Sequence, residues 1–192
     1  ASTPYTRDRM EAFLGDADLE TIDDRLRFLR REVMLTLIAR DTTGAADYAE
    51  VVETMSDLAE VALQKVIAVH ARQLARRHGV PMSPLGVPQD LMVVGMGKLG
   101  GRELNVSSDI DLIFVFDEQG QCQATDEFPA PRKPISNFEF FEKLAKIMRV
   151  KSCLSSNSFK AWVIAKVDVH IKYSSADCAC AGGAFFFFAF LP

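Results

Sequence analysis

The sequence predicts an α/β protein of the α+β type, in which a helical N-terminal segment packs beside a small mixed sheet. Apolar residues recur at helical spacing through the first third of the chain, and short apolar runs separated by glycines follow from Leu91. A capping box at Ser136 then opens a further helix. A length of 192 residues, 48% of them hydrophobic, is typical of one globular domain of ordinary size.

Charge and cysteine content argue against several classes of protein. The chain has 26 acidic and 22 basic residues, whereas proteins that bind nucleic acid without sequence preference present a basic face. No apolar run has the length of a membrane span, and the N-terminus lacks the apolar core of a signal peptide. We therefore expect a cytoplasmic protein with neither a membrane nor a nucleic acid as partner. Cys178 and Cys180 form a close pair, but no second pair or histidine cluster completes a zinc site.

Two long helices are predicted first. The apolar stripe of the first helix consists of Ile22, Leu26, Leu29, Val33 and Leu37. The second helix is predicted from about Ala46 to His78, because Gly79 stands at the usual position of a C-terminal glycine and prolines follow it. His70 and His78 show no ligand spacing and are expected on helix surfaces.

The sheet is predicted from short apolar segments. Leu91–Val94 and Ile110–Phe116 are typical of strands, and Asp117–Pro134 is predicted as a loop because of its glycine and prolines. Ser136 and Glu139 form the capping box of the next helix. Alternating residues predict a last strand over Trp162–Tyr173. The chain is thus divided into a helical segment (1–88), a sheet-bearing core (89–175) and a hydrophobic tail (176–192) that indicates a piece of a longer protein.

The glycine-rich segment Gly95–Gly100 fits the G-x-G-x-x-G pattern of dinucleotide-binding proteins, so a nicotinamide-dependent oxidoreductase is one hypothesis. Spacing argues against it, because the nine residues from Gly101 to Asp109 are too few for a parallel crossover. A P-loop is also excluded, because Leu99 follows Lys98 where Ser or Thr is required. A plain tight turn between strands is the simplest alternative.

Two carboxylates follow this segment. Asp109 and Asp111 are two residues apart at the start of a strand, so their side chains should share a face with Cα atoms about 6.5 Å apart. Adjacent carboxylates repel each other unless a cation lies between them, and Mg²⁺ with substrate phosphates suits such a pair. A solvated pair of aspartates is the alternative without function.

Together these residues predict transfer of a nucleotidyl group at an α-phosphate. The predicted nucleotide-binding residues are Gly97, Lys98, Gly100, Ser107 and Ser108. The glycines allow backbone amides close to phosphate oxygens, the lysine supplies a positive charge and the serines supply hydroxyl donors. Asp109 and Asp111 are predicted as catalytic residues and Mg²⁺ ligands.

The segment Leu91–Phe114, LMVVGMGKLGGRELNVSSDIDLIF, closely resembles the signature of the bifunctional glutamine synthetase adenylyltransferase/adenylyl-removing enzymes. These belong to the DNA polymerase β-like nucleotidyltransferases. The resemblance covers about residues 20–148 and includes Phe28–Glu32 and Ala39–Asp41. It implies that 89–175 is part of a nucleotidyltransferase core that uses Mg²⁺, with glutamine synthetase, the PII signalling protein, ATP or ADP and phosphate as partners.

Gly101–Asn105 is more similar to the first of the two nucleotidyltransferase units of that family. This resemblance implies the adenylyl-removing reaction, in which phosphate removes AMP from a tyrosine of glutamine synthetase and ADP is released. The alternative is adenylylation of glutamine synthetase from ATP.

The family has a third catalytic aspartate on a later strand, and Asp168 is the nearest candidate for this catalytic and metal-binding role. The arginines and proline that follow the family's aspartate are missing here, and the tail 176–192 resembles nothing in the family. A truncated, catalytically inactive fragment that at most binds nucleotide is therefore a further alternative.

Overall fold

A computed structural model describes residues 3–106, 108, 110–129 and 133–153, and two short strands at 171–173 and 186–188. Within these residues, the predicted α+β fold with its helical N-terminal part is confirmed. The helices are α1 (Arg7–Leu14), α2 (Ile22–Thr42), α3 (Tyr48–His78), α4 (Gly97–Gly100) and α5 (Asn137–Cys153). The strands are β1 (Val80–Met82), β2 (Met92–Met96), β3 (Asp111–Phe116), β4 (Gln121–Gln123), β5 (Ile171–Tyr173) and β6 (Phe186–Phe188).

The helical part is built around α3. Every residue of the stripe predicted on α2 is buried, and these side chains join the same apolar core as those of α1 and α3. The side chain of Asp47 accepts a hydrogen bond from the Glu50 N–H at 2.8 Å, so α3 begins just after the predicted position. The short helix α1 was not predicted, because it buries only Met10 and Leu14 and so has no long apolar stripe in the sequence.

The prediction that His70 lies on a helix surface is wrong, since the residue is 2% exposed. The helix α3 packs against α1, α2 and α5, so several of its faces are covered at once. His78 is half-buried at the end of α3, and its Nδ1 lies 2.7 Å from the backbone oxygen of Lys133.

The main sheet has the strand order β5-β3-β2-β6. Strand β3 is antiparallel to β2 and parallel to β5, so the sheet is mixed, as predicted. The register of β2 and β3 pairs Met96 with Asp111. Because these two strands are antiparallel, the segment between them is not the crossover of a dinucleotide-binding Rossmann unit.

A second, two-stranded sheet pairs β1 with β4 in antiparallel register, with Pro81 opposite Cys122. The prediction of an unbroken loop over Asp117–Pro134 is therefore wrong at Gln121–Gln123. Strands of three residues are too short for a periodic pattern, and Gly120 before the segment and the prolines after it favour a loop interpretation. Burial raises the pKa of the Cys122 thiol to about 11.

The capping box predicted at the start of α5 is confirmed. The Ser136 hydroxyl accepts a hydrogen bond from the Glu139 N–H at 3.2 Å, and the Glu139 carboxylate accepts one from the Ser136 N–H at 3.3 Å. The ring of Phe141 lies 5.0 Å from that of Phe116, measured between centroids, and attaches α5 to the end of β3.

Most of the predicted strand Trp162–Tyr173 lies outside the described residues, but its last three residues form β5 beside β3. In the hydrophobic tail, Phe186–Phe188 forms β6 and pairs with β2. The limits predicted for the segments 1–88, 89–175 and 176–192 stay predictions. In the part of the chain that the structure describes, no helix is long and apolar enough to cross a membrane.

Candidate functional site

The glycine turn, defined here as residues Gly95–Gly101, carries the chain from β2 into α4. Gly97 has φ +55°, a left-handed conformation that glycine adopts easily. A Cβ atom on Gly95 would lie 3.1 Å from Cγ of Leu99, so glycine at this position lets the buried Leu99 pack onto the strand. Gly97 and Lys98 are exposed, and a ligand therefore has access to this side of the turn.

Asp111 lies beside the glycine turn at the start of β3. The alternation of the strand buries Leu112 and Phe114 and leaves Asp111 exposed. A Cβ atom on Gly97 would lie 3.8 Å from Oδ2 of Asp111, so the carboxylate lies next to the left-handed glycine. The structure thus brings together Gly97 and Asp111, with Lys98 as the next residue of the turn.

Gly100 and Ser108 have a different environment from Gly97. Gly100 is buried at the end of α4. The Ser108 hydroxyl donates a hydrogen bond to Oδ1 of Asn105 at 2.6 Å and accepts one from the Asn105 N–H at 3.3 Å. These bonds close the loop before β3, and the nucleotide contacts of Gly100 and Ser108 stay predictions.

The predicted site residues Ser107, Asp109 and Asp168 lie outside the described residues. The same is true of Cys178 and Cys180. Their predicted positions and roles stay predictions.

The surroundings of Asp111 are compatible with Mg²⁺. This ion is held in many proteins by only one or two carboxylates, and water and substrate phosphates complete its coordination. Asp111 offers an exposed carboxylate beside a turn that has no side chain at Gly97. Within the described ranges, no group of three or more His, Cys, Asp or Glu side chains could hold a metal ion by itself.

The chain leaves α4 through an unusual helix end. The Arg102 N–H donates to the Leu99 carbonyl at 3.0 Å, and the Glu103 N–H donates to the Lys98 carbonyl at 2.7 Å. These two bonds define a Schellman motif, whose left-handed residue is commonly glycine. Here that residue is Arg102, with φ +54°, although Gly101 directly precedes it.

The side chain of Arg102 reaches α3. Its guanidinium forms ion pairs with Asp57 at 2.7 Å and with Glu60 at 2.6 Å. Glu60 is 2% exposed and also pairs with Arg7 of α1 at 2.6 Å. We call Arg7, Asp57, Glu60 and Arg102 the Glu60 network. The hydrogen bond to Asp57 and the nearby charge of Glu60 raise the pKa of Arg102, against the opposing effect of burial.

The Glu60 network was not predicted from the sequence. One signal was present, because Glu60 is the only charged residue within the otherwise apolar stretch Leu58–Leu63. A charge at such a position needs a partner when the helix is buried. The sequence alone did not indicate which arginine would supply it.

Comparison with known proteins identifies relatives over most of the chain. Three of these relatives are named bifunctional glutamine synthetase adenylyltransferase/adenylyl-removing enzyme. The relative from Aromatoleum aromaticum is 48% identical to this chain, over 76% of this chain and 15% of its own length. The relative from Burkholderia mallei is 41% identical over 90% of this chain and 19% of its own length. The relative from Ralstonia nicotianae is 47% identical over 82% of this chain and 16% of its own length.

The chain thus spans less than a fifth of the length of these relatives. The family described as glutamate-ammonia ligase adenylyltransferase matches residues 3–180. This match includes the helical part, the glycine turn and β3. On these grounds, the chain belongs to the glutamate-ammonia ligase adenylyltransferase family.

Proposed function

We propose that this chain carries the nucleotidyltransferase site of an adenylyl-removing unit that acts on glutamine synthetase. In the proposed reaction, an oxygen of inorganic phosphate attacks the phosphorus of the AMP group on a tyrosine. The bond between phosphorus and the tyrosine oxygen breaks, the tyrosine takes up a proton, and ADP is released.

One observation carries the proposal: the Asp111 carboxylate lies beside the left-handed Gly97 at an exposed turn. Phosphate groups can approach a backbone closely where no side chain is present. Lys98 is exposed on the same turn and supplies a positive charge for the phosphates. Family membership and the names of the relatives support glutamine synthetase as the substrate protein.

Asp111, and by prediction Asp109 and Asp168, would hold Mg²⁺ in this site. When bound, the ion would offset the negative charge that develops on the phosphates during transfer. The chain's own contribution is to orient the substrate: the glycine turn receives the phosphates, and β3 fixes the carboxylate next to it.

The choice of adenylyl removal depends on the resemblance of Gly101–Asn105 to the first unit of the family. Adenylylation from ATP would use the same carboxylate and turn with a different co-substrate. Regulation by the PII protein belongs to the same proposal.

The first test measures ADP release from adenylylated glutamine synthetase in the presence of phosphate and Mg²⁺. Asp111→Asn removes the charge with little change in shape, so ADP formation should fall by about 100-fold or more. Asp117→Asn is the matched control, because Asp117 is exposed directly after β3, at its opposite end, and should leave the rate unchanged.

Equal ADP formation by the unmodified chain and Asp111→Asn would contradict the proposed site. A lack of ADP from the unmodified chain, beside a full-length relative that forms it, would contradict adenylyl removal by this chain. Incorporation of AMP from labelled ATP, without phosphate dependence, would assign the adenylylation reaction instead.

A further inference from the structure

Arg102 has a backbone conformation that its residue type does not favour. Residues other than glycine, asparagine and aspartate rarely adopt positive φ, because their Cβ atom comes close to the neighbouring carbonyl oxygen. The adjacent Gly101 could adopt it freely, but Gly101 is the right-handed C-cap, with φ −83°. Some interaction outside the turn must therefore select Arg102 for the left-handed position.

The two ion pairs with α3 provide that interaction. Charge-assisted hydrogen bonds of 2.6 and 2.7 Å are among the stronger polar contacts in proteins. Glu60 is almost completely buried, so its bond to Arg102 is little weakened by water. The forked guanidinium can contact both carboxylates at once, which a lysine ammonium does less well.

A second contact ties the same segment to α3. The Leu104 N–H donates to the Ser56 hydroxyl oxygen at 3.4 Å, and that hydroxyl donates to the Val52 carbonyl at 2.8 Å. The Leu104 amide is therefore a local reporter of docking onto α3. The Glu103 amide, which bonds to Lys98 within the turn, reports the turn itself.

We propose that Arg102 is a positioning residue for the glycine turn. Its ion pairs with Asp57 and Glu60 hold the end of α4 on α3 and thereby fix Gly97 and Lys98 relative to Asp111. The effect on nucleotide binding rests on the proposed function, whereas the tie between the turn and α3 does not.

The test uses the whole 192-residue chain and measures amide hydrogen exchange by NMR. In Arg102→Gln, exchange of the Leu104 amide should accelerate by about tenfold or more, because both charged bonds are lost. In Arg102→Gly, the turn keeps a residue suited to its backbone, so Glu103 should stay protected while Leu104 exchanges faster. Arg7→Gln is the matched control, since it removes the other arginine on Glu60 without changing the turn.

A second measurement is the affinity for ADP with Mg²⁺, determined by calorimetry. Arg102→Gln and Arg102→Gly should each weaken it by about tenfold, because the turn that receives the phosphates is then less well preorganised for binding. Arg102→Lys should recover part of the affinity, and Arg7→Gln should leave it unchanged. Thermal melting of each variant tests whether the fold is retained.

Protection of Leu104 in Arg102→Gly equal to that of the unmodified chain would overturn the inference, because backbone preference alone would then hold the segment. Equal acceleration of Leu104 exchange in Arg7→Gln and Arg102→Gln would also overturn the inference, because a general loosening of the helices would then explain both results. If the unmodified chain binds no ADP, the proposed function fails, and the exchange of Leu104 still decides the role of Arg102.

Discussion

The ends of α3 and α4 both require a residue with positive φ, but the chain meets this requirement in different ways. At the end of α3 the residue is Gly79, with φ +86°, and at the end of α4 it is Arg102, with φ +54°. A Cβ atom on Gly79 would overlap the backbone of Gln123 in β4 and lie 2.8 Å from its carbonyl carbon. Arg102 instead has space for a long side chain that reaches α3.

The comparison shows that a position with positive φ can be occupied by glycine, whose residue type suits it, or by another residue that side-chain contacts hold there. At Gly79 there is no room for any other residue, so residue type and conformation agree. At Arg102 the residue type opposes the conformation, and two ion pairs with α3 offset the strain. The first helix end connects α3 to the two-stranded sheet, and the second lies next to the candidate site.

The largest effect is expected at the end of α3. Gly79→Ala adds a backbone strain and a steric overlap with Gln123, and should lower the free energy of unfolding by about 3 kcal/mol. Urea unfolding measures this change. Gly86→Ala is the matched control, because Gly86 has φ +77° but open space around its Cα, so about 1 kcal/mol is expected from strain alone. Equal losses in the two variants would show that the contact with Gln123 is unimportant.

A smaller effect is expected for the ion pairs that hold the end of α4. Glu60→Gln removes the buried charge shared by Arg7 and Arg102, and should cost about 2 kcal/mol by the same measurement. Glu127→Gln breaks an exposed pair with Arg72 and should cost less than about 0.5 kcal/mol. A result for Glu60→Gln as small as the control would mean that strain at Arg102 is offset by something else.

The smallest change in stability is expected at the junction of α2 and α3, where an ion pair connects the two helices. Arg40 contacts both oxygens of Glu50, at 2.6 and 2.9 Å, and its hydrogen bonds lower the pKa of Glu50 below the ordinary value of a glutamate. A carboxylate with a lowered folded pKa stabilises the fold above its unfolded pKa, and this contribution is lost as the pH falls through the folded pKa.

The stability difference between the unmodified chain and Glu50→Gln should therefore be constant above about pH 5 and shrink below about pH 4.5. Urea midpoints between pH 7 and pH 3 measure it. Glu53→Gln, an exposed change on the same helix, is the control, because it leaves the Arg40–Glu50 pair intact. A difference that persists unchanged at pH 3 would contradict the role of the Arg40–Glu50 pair.

Several elements were predictable because their signals are local. The buried stripe of α2, the end of α3 at Gly79 and the capping box at Ser136 each depend on residues within a few positions of one another. Spacing also argued against a parallel crossover between β2 and β3, because too few residues separate them, and the structure pairs the two strands in antiparallel register. At the candidate site, the proximity of Gly97 and Asp111 follows from this pairing.

The errors have a common origin in contacts between distant parts of the chain. The pairing of β1 with β4 depends on two three-residue segments that have no pattern of their own. The burial of His70 depends on how many neighbours pack around α3. The Glu60 network joins positions 7, 57, 60 and 102, and no local pattern links them.

The sequence by itself determined the helical segment, the two central strands, the position of the glycine turn and the family resemblance. These depend on residue type and short-range spacing, which the backbone geometry of helices and strands converts directly into structure. Only the tertiary structure decided that Arg102, rather than Gly101, takes the left-handed position. The reason is physical: the free energy that selects Arg102 comes from carboxylates on α3, and these are brought near it only when the chain has folded.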